Sequence, residues 1–109
     1  MSKPTPEGRW VRQVRDLIAV AFPRESVLIK PLAGLGSIPG QPDLIGIIKG
    51  RGIALECKAP GGRYRATPAQ INFLTNWTVA QGYAEVMDSE EKLRALIEYF
   101  KPAQRLLFY

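Results

Sequence analysis

The sequence predicts an α/β fold in which helices flank a mixed β-sheet, in the order helix, three strands, helix, strand, helix. Three observations carry this expectation. Segments with apolar residues at helical spacing alternate with short runs rich in β-branched residues. Two of those runs are separated by Lys49-Gly50-Arg51-Gly52, which is a hairpin signal. The chain has 109 residues, 46% of them apolar and 23% charged, which suits a single packed domain over residues 1–109.

Each element has its own signal. Thr5-Pro6-Glu7 opens a helix, with Thr5 as N-cap and Pro6 at the first helical position. Val11, Val14, Ile18 and Ala21 recur at helical spacing with Leu17 beside them, while Arg9, Arg12 and Arg15 mark a polar face. Pro23 ends that helix, because its ring and missing N–H cannot continue it. Ser26 to Leu32 reads as a strand, and Pro31 assigns it to a sheet edge. The stretch AGLGSIPGQ is a glycine-rich loop. Pro42 to Ile48 and Ile53 to Lys58 are the arms of the hairpin. Thr67 starts a second helix that runs through Ile71, Leu74, Trp77 and Thr78 to a stop at Gly82. Tyr83 to Met87 is a further strand, and Ser89 caps a third helix from Glu90 to Phe100.

Composition narrows the chemistry. No apolar run approaches the ~18 residues that cross a bilayer, and the first residues lack a secretory signal, so a cytoplasmic protein without a membrane partner is expected. A single cysteine, Cys57, excludes an internal disulfide framework and a multi-cysteine zinc site. With no histidine, Ser-His-Asp hydrolysis, His-ligated zinc and histidine-dependent nucleases are excluded. The net charge of +5 is uneven: residues 1–65 hold eleven bases and five acids, residues 66–109 four bases and five acids. A basic half on a small domain suits a phosphate-backbone partner, although it also serves solubility.

The hairpin gathers charge. With Gly50-Arg51 as a two-residue loop, or Lys49 to Gly52 as a four-residue one, Asp43 falls opposite Lys58. Glu56 then lies on the same face one diagonal away, within ~7–8 Å. Cys57 points to the other face, because strand side chains alternate. Two carboxylates and an amine on a half-buried face are costly unless they pair or bind an ion. Oxygen ligands without His suit Mg²⁺ or Mn²⁺, which would polarise a phosphoryl group while Lys58 orients or deprotonates the attacking water. The plainer alternative is an Asp43–Lys58 cross-strand ion pair with Glu56 half exposed.

Pro42-Asp43, followed after thirteen residues by Glu56-Cys57-Lys58, resembles the PD-(D/E)XK nuclease signature. The wider pattern is Gly40-Gln41-Pro42-Asp43-Leu44, then Glu56-Cys57-Lys58, then Thr67-Pro68-Ala69-Gln70 before a helix, with Gly82 leading into a strand. It resembles the VRR-Nuc (virus-type replication-repair nuclease) branch over nearly the whole chain, from Glu7 to the third helix. The resemblance implies a restriction-endonuclease-like core and a divalent-metal phosphodiesterase. Asp43, Glu56 and the Cys57 backbone carbonyl would bind the metal, Lys58 would be the catalytic lysine, Gln70 would help arrange the site, and Glu7 would complete it. Stand-alone members of this size resemble homodimeric enzymes that cleave Holliday junctions, which suits a phage or prophage setting.

Each residue also has a plainer role. Thr67 and Gln70 together form a capping box, and Glu7 in a first helical turn complements the helix dipole. Against that, positions 7, 11, 14 and 18 share one helical stripe, so Glu7 turns inward. Arg63 and Arg65 flank Tyr64 in a glycine-led loop that could grip phosphates or stack on a base, or be an ordinary solvated loop. Lys49, Arg51, Arg9, Arg12 and Arg15 are weaker versions of the same DNA-binding idea. Cys57, Trp10 and Trp77 read as core or interface anchors, and the apolar tail Leu106 to Tyr109 as a packing or subunit contact. The expected function is a Mg²⁺- or Mn²⁺-dependent endonuclease for branched DNA, acting as a homodimer. Its rivals are a non-catalytic nucleic-acid-binding module and a flap or single-strand nuclease working with a partner.

Overall fold

The computed structural model describes residues 5–31 and 38–101. The expected strand end at Leu32, residues 33–37 of the glycine-rich loop and the tail from Leu106 to Tyr109 lie outside the described residues. Helix α1 (Pro6–Ala21) starts as expected: Thr5 accepts a hydrogen bond from the Gly8 N–H, and Pro6 occupies the first turn. Its buried stripe is Trp10, Val11, Val14 and Ile18, with Ala21 partly covered, whereas Leu17 is exposed. The helix closes at Phe22, whose N–H bonds the Ile18 carbonyl just before Pro23.

Four strands follow: β1 (Ser26–Ile29), β2 (Leu44–Ile48), β3 (Arg51–Cys57) and, after α2 (Pro68–Val79), β4 (Tyr83–Met87). They form one sheet in the order β1-β2-β3-β4, the first three antiparallel and β4 parallel to β3. Helix α3 (Glu90–Phe100), capped by Ser89, ends the described fold. The architecture is therefore a mixed sheet flanked by three helices. No helix among the described residues is long and apolar enough to cross a membrane.

Side-chain alternation distributes the helices over the two faces. Leu44, Ile48, Ile53, Leu55, Cys57 and Met87 point to one face, where α1 and the α3 residues Leu93, Leu96 and Phe100 complete the main core. Each fully buried aliphatic side chain there contributes roughly 1.5–3 kcal/mol. Trp10 joins this core and donates its indole N–H to the Met87 carbonyl at 2.8 Å, tying α1 to the end of β4. The opposite face carries Ala54 and Glu56, and α2 lies against it, with the Trp77 indole donating to the Gly52 carbonyl at 3.1 Å. Since α2 packs on β3 and β4, the outward residues Val27, Ile29 and Ile47 of β1 and β2 stay exposed.

Three boundaries differ from expectation. Strand β1 stops at Ile29, because Pro31 has no N–H for the ladder, and it does lie at the sheet edge. Strand β2 begins at Leu44, not Pro42, as Pro42 likewise lacks a donor. The hairpin turn is Lys49-Gly50, and pairing resumes at Arg51 instead of Ile53. Lys49 (φ 50°) and Gly50 (φ 83°) both adopt left-handed backbone, the combination of a two-residue turn whose twist matches the strands. Pairing thus runs Ile48–Arg51 to Leu44–Leu55, two residues out from the expected register. A slip of two preserves which face each side chain occupies, so Asp43 falls across from Glu56 instead of Lys58. At the end of α2 the left-handed residue is Gln81 (φ 79°), one position before the expected stop at Gly82.

Candidate functional site

The site lies where β2 begins and β3 ends. Asp43 sits one residue before β2, and its Oδ2 accepts the Cys57 N–H at 2.8 Å. A side chain thereby continues the ladder after Pro42 interrupts it. Upstream, Gly40 (φ 77°) lies so close to α2 that a Cβ there would meet the Ala69 carbonyl oxygen at 2.1 Å. That contact seats the loop carrying Asp43 on the start of α2.

Glu56, one residue before the end of β3, is 2% exposed, a rare condition for a carboxylate. Its Oε2 lies 3.3 Å from the Lys58 ammonium, and its Oε1 is buried without a hydrogen-bond partner. Burial pushes its carboxyl up from the ordinary 4.5 to about 8, and the charge of the neighbouring Asp43 adds to this, while Lys58 opposes it. Lys58 therefore lowers the cost of burying Glu56 without cancelling it. Among the described residues this Oε1 is the one buried side-chain oxygen or nitrogen left without a hydrogen bond, a condition native proteins rarely tolerate without a reason. Cys57 faces the core between them, and burial, with Asp43, Glu56 and Glu7 nearby, raises its thiol well above the usual range. A neutral, buried thiol is not a nucleophile.

The remaining expected residues take varied places. Glu7 lines a cavity of about 590 Å³ that it shares with Lys58, Arg63, Tyr64, Arg65 and Thr67. It faces the lysine from α1 but does not join the carboxylate pair: among the described residues, no three His, Cys, Asp or Glu side chains converge as a metal centre. Gln70 is committed to its helix. Its Oε1 accepts the Thr67 N–H at 2.8 Å, and its own N–H bonds Thr67 Oγ1 at 3.2 Å. Arg51 donates to the Tyr99 hydroxyl at 2.7 Å and lies over the rings of Tyr83 and Tyr99, and Lys49 lies over Phe22. Both are thus braced against aromatic rings at the hairpin tip, away from the carboxylates. Arg63 and Arg65 are exposed at the cavity, while Arg9, Arg12 and Arg15 lie along the exposed side of α1.

A second cavity, of about 440 Å³, shares Lys58 with the first and adds Ile71, Val86 and Asp88. Those three were not anticipated from the sequence. The parallel pairing of Cys57 with Met87 carries Asp88 alongside Lys58. Parallel pairing between strands 30 residues apart has no local signature. Compared with protein-family models, curated proteins and solved structures, the chain matches none of them.

Proposed function

We propose that the protein is a divalent-metal-dependent endonuclease of the VRR-Nuc type, with a restriction-endonuclease-like core, hydrolysing phosphodiester bonds in branched DNA. The observation that carries this is Glu56: a buried carboxylate, shifted upward, abutting Asp43 and leaving an oxygen unbonded. An ion-pairing or packing role requires none of these features. The donor set fits Mg²⁺ or Mn²⁺, which are held by one or two carboxylates with water and substrate phosphate completing the shell. Asp43, Glu56 and the Cys57 carbonyl would hold the ion, and Glu7 stands across the cavity as a further acid. When bound, such an ion supplies Lewis acidity at the phosphoryl oxygen and a more acidic water.

The chain's own residues do the rest. Lys58, 12% exposed at its side chain, is held at the mouth of two cavities, where its ammonium stabilises charge on the non-bridging oxygens. In hydrolysis the water oxygen bonds to phosphorus, the bridging P–O bond breaks, and the leaving oxygen takes up a proton. Arg63 and Arg65 supply cations for the flanking phosphates. One site cuts one strand, so a four-way junction calls for two copies related by symmetry. The rival reading, a binding module without catalysis, is favoured by the Lys58–Glu56 contact at 3.3 Å, which is also a plain ion pair.

The test is incubation with labelled four-way junction, flap, single-stranded and duplex DNA, in Mg²⁺, Mn²⁺ or EDTA. Metal-dependent paired cuts in the junction are expected. Lys58→Ala is expected to abolish them while DNA binding survives. Binding without cleavage in either metal would favour the module, and undiminished cleavage by Lys58→Ala would remove the lysine from the site.

A further inference from the structure

Lys58 is bordered by two cavities. The larger opens toward Glu7 and Arg63, and the smaller toward Ile71, Val86 and Asp88. Both fall within the ~300–1,000 Å³ of typical small-ligand sites, so each can accept a nucleoside-sized group. The wall they share is the loop after β3, with Ala59, Gly62, Tyr64 and Arg65 lining both. That loop is a built turn, closed by the Gly62 N–H on the Ala59 carbonyl at 2.9 Å. Tyr64 is 82% exposed, a whole aromatic ring left in water between two cavities.

The chemistry of the two cavities differs. Arg63 faces only the larger one, which suits a phosphate. The smaller shares Lys58 and Arg65 with it and adds Ile71 and Val86 as apolar walls and Asp88, whose Oδ1 holds the Lys92 ammonium at 3.0 Å, as an acceptor for the N–H edge of a base. A strand with its phosphate at Lys58 would cross Tyr64 in passing from one cavity to the other. Stacked neighbours, ~3.4 Å apart along a strand, leave no room for a ring between them. Separation costs least where a base is unpaired or its stack is already interrupted, as the stack is at a branch point.

We propose that Tyr64 is a wedge that separates the two nucleotides flanking the scissile phosphate, sending one base into the cavity walled by Ile71, Val86 and Asp88, and so makes the enzyme selective for DNA that unstacks easily. This rests on the nuclease reading above for its substrate, and two independent readouts keep the two apart. In EDTA, permanganate oxidation reports unstacked thymines without any cleavage. Wild-type protein and Tyr64→Phe should render a thymine next to the branch hyperreactive, and Tyr64→Ala should not. In Mg²⁺, Tyr64→Ala should lower kcat/KM on an intact junction by about tenfold, the scale of one lost base–aromatic stack. Tyr64→Phe should cleave like wild type. An abasic nucleotide beside the cut, which needs no unstacking, should bring Tyr64→Ala back to the wild-type rate. Equal loss on the abasic substrate, or thymine reactivity independent of Tyr64, would overturn the wedge even if Lys58-dependent cleavage is found. Tyr64-dependent reactivity in a protein that cuts nothing would sustain the wedge and overturn the nuclease.

Discussion

Glu56 is unusual in being both buried and next to a second carboxylate, and its protonation is therefore tied to folding. Its native carboxyl titrates at about 8, against an ordinary 4.5. An acid with a raised native pKa favours the fold while protonated, so its contribution is full below about 4.5 and is lost as pH rises through about 8. Metal-free protein should lose stability across that window, and Glu56→Gln, which stays neutral, should remove that loss. Denaturant unfolding at pH 5 and pH 8 should show the variant gaining more than about 1 kcal/mol on wild type at the higher pH. Parallel pH profiles would mean that Glu56 is solvated and the metal argument unsupported. Gln70 shows the limit of reading single residues from sequence. The position that the nuclease resemblance singles out and the capping geometry coincide at Thr67-Pro68-Ala69-Gln70, and the structure displays the cap.

At the scale of the element, the hairpin shows how much pattern alone can carry. Asp43, Glu56 and Lys58 were placed on one face correctly although the turn was misplaced, because the error was an even number of residues. The misplacement came from Lys49, whose left-handed backbone is unusual for a side chain with a Cβ, and from glycines on both sides of Arg51 that allow either turn. Gly50→Ala should cost about 1 kcal/mol by forcing a Cβ into the left-handed region, measured as a lowered denaturant midpoint with an unchanged m-value. Helices α1 and α3 and strand β4 were readable nearly to the residue, because their caps, prolines and periods are local. The Trp10 bond to Met87 spans 77 positions, and the Asp88 wall depends on a parallel pairing, so neither had a local signal.

Across the whole molecule, the two faces of the sheet are unequally filled. The α1–α3 face is a continuous apolar core, whereas the α2 face holds the buried carboxylate and the exposed residues Val27, Ile29 and Ile47. A cation entering this second layer would bind the native state alone and stabilise the entire domain. Mg²⁺ or Mn²⁺ at about 100 times its dissociation constant should add about 2.7 kcal/mol. That corresponds to a rise in Tm of roughly ten degrees or more for a domain near this size. Asp43→Asn should abolish the rise, and a rise surviving in that variant would put the ion elsewhere.

Asp43, Glu56 and Lys58 all belong to a single hairpin, and this has a consequence for the order of folding. Hairpins close within roughly 1–10 µs, long before distant segments find one another. The charged trio thus comes together first, while still in water, where neighbouring charges interact weakly. The cost of enclosing Glu56 arises afterwards, when α2 and β4 arrive from more than ten residues downstream. The site's electrostatic penalty is therefore deferred to the last stage of assembly, and local opening of α2 or β4 is the least costly way to relieve it.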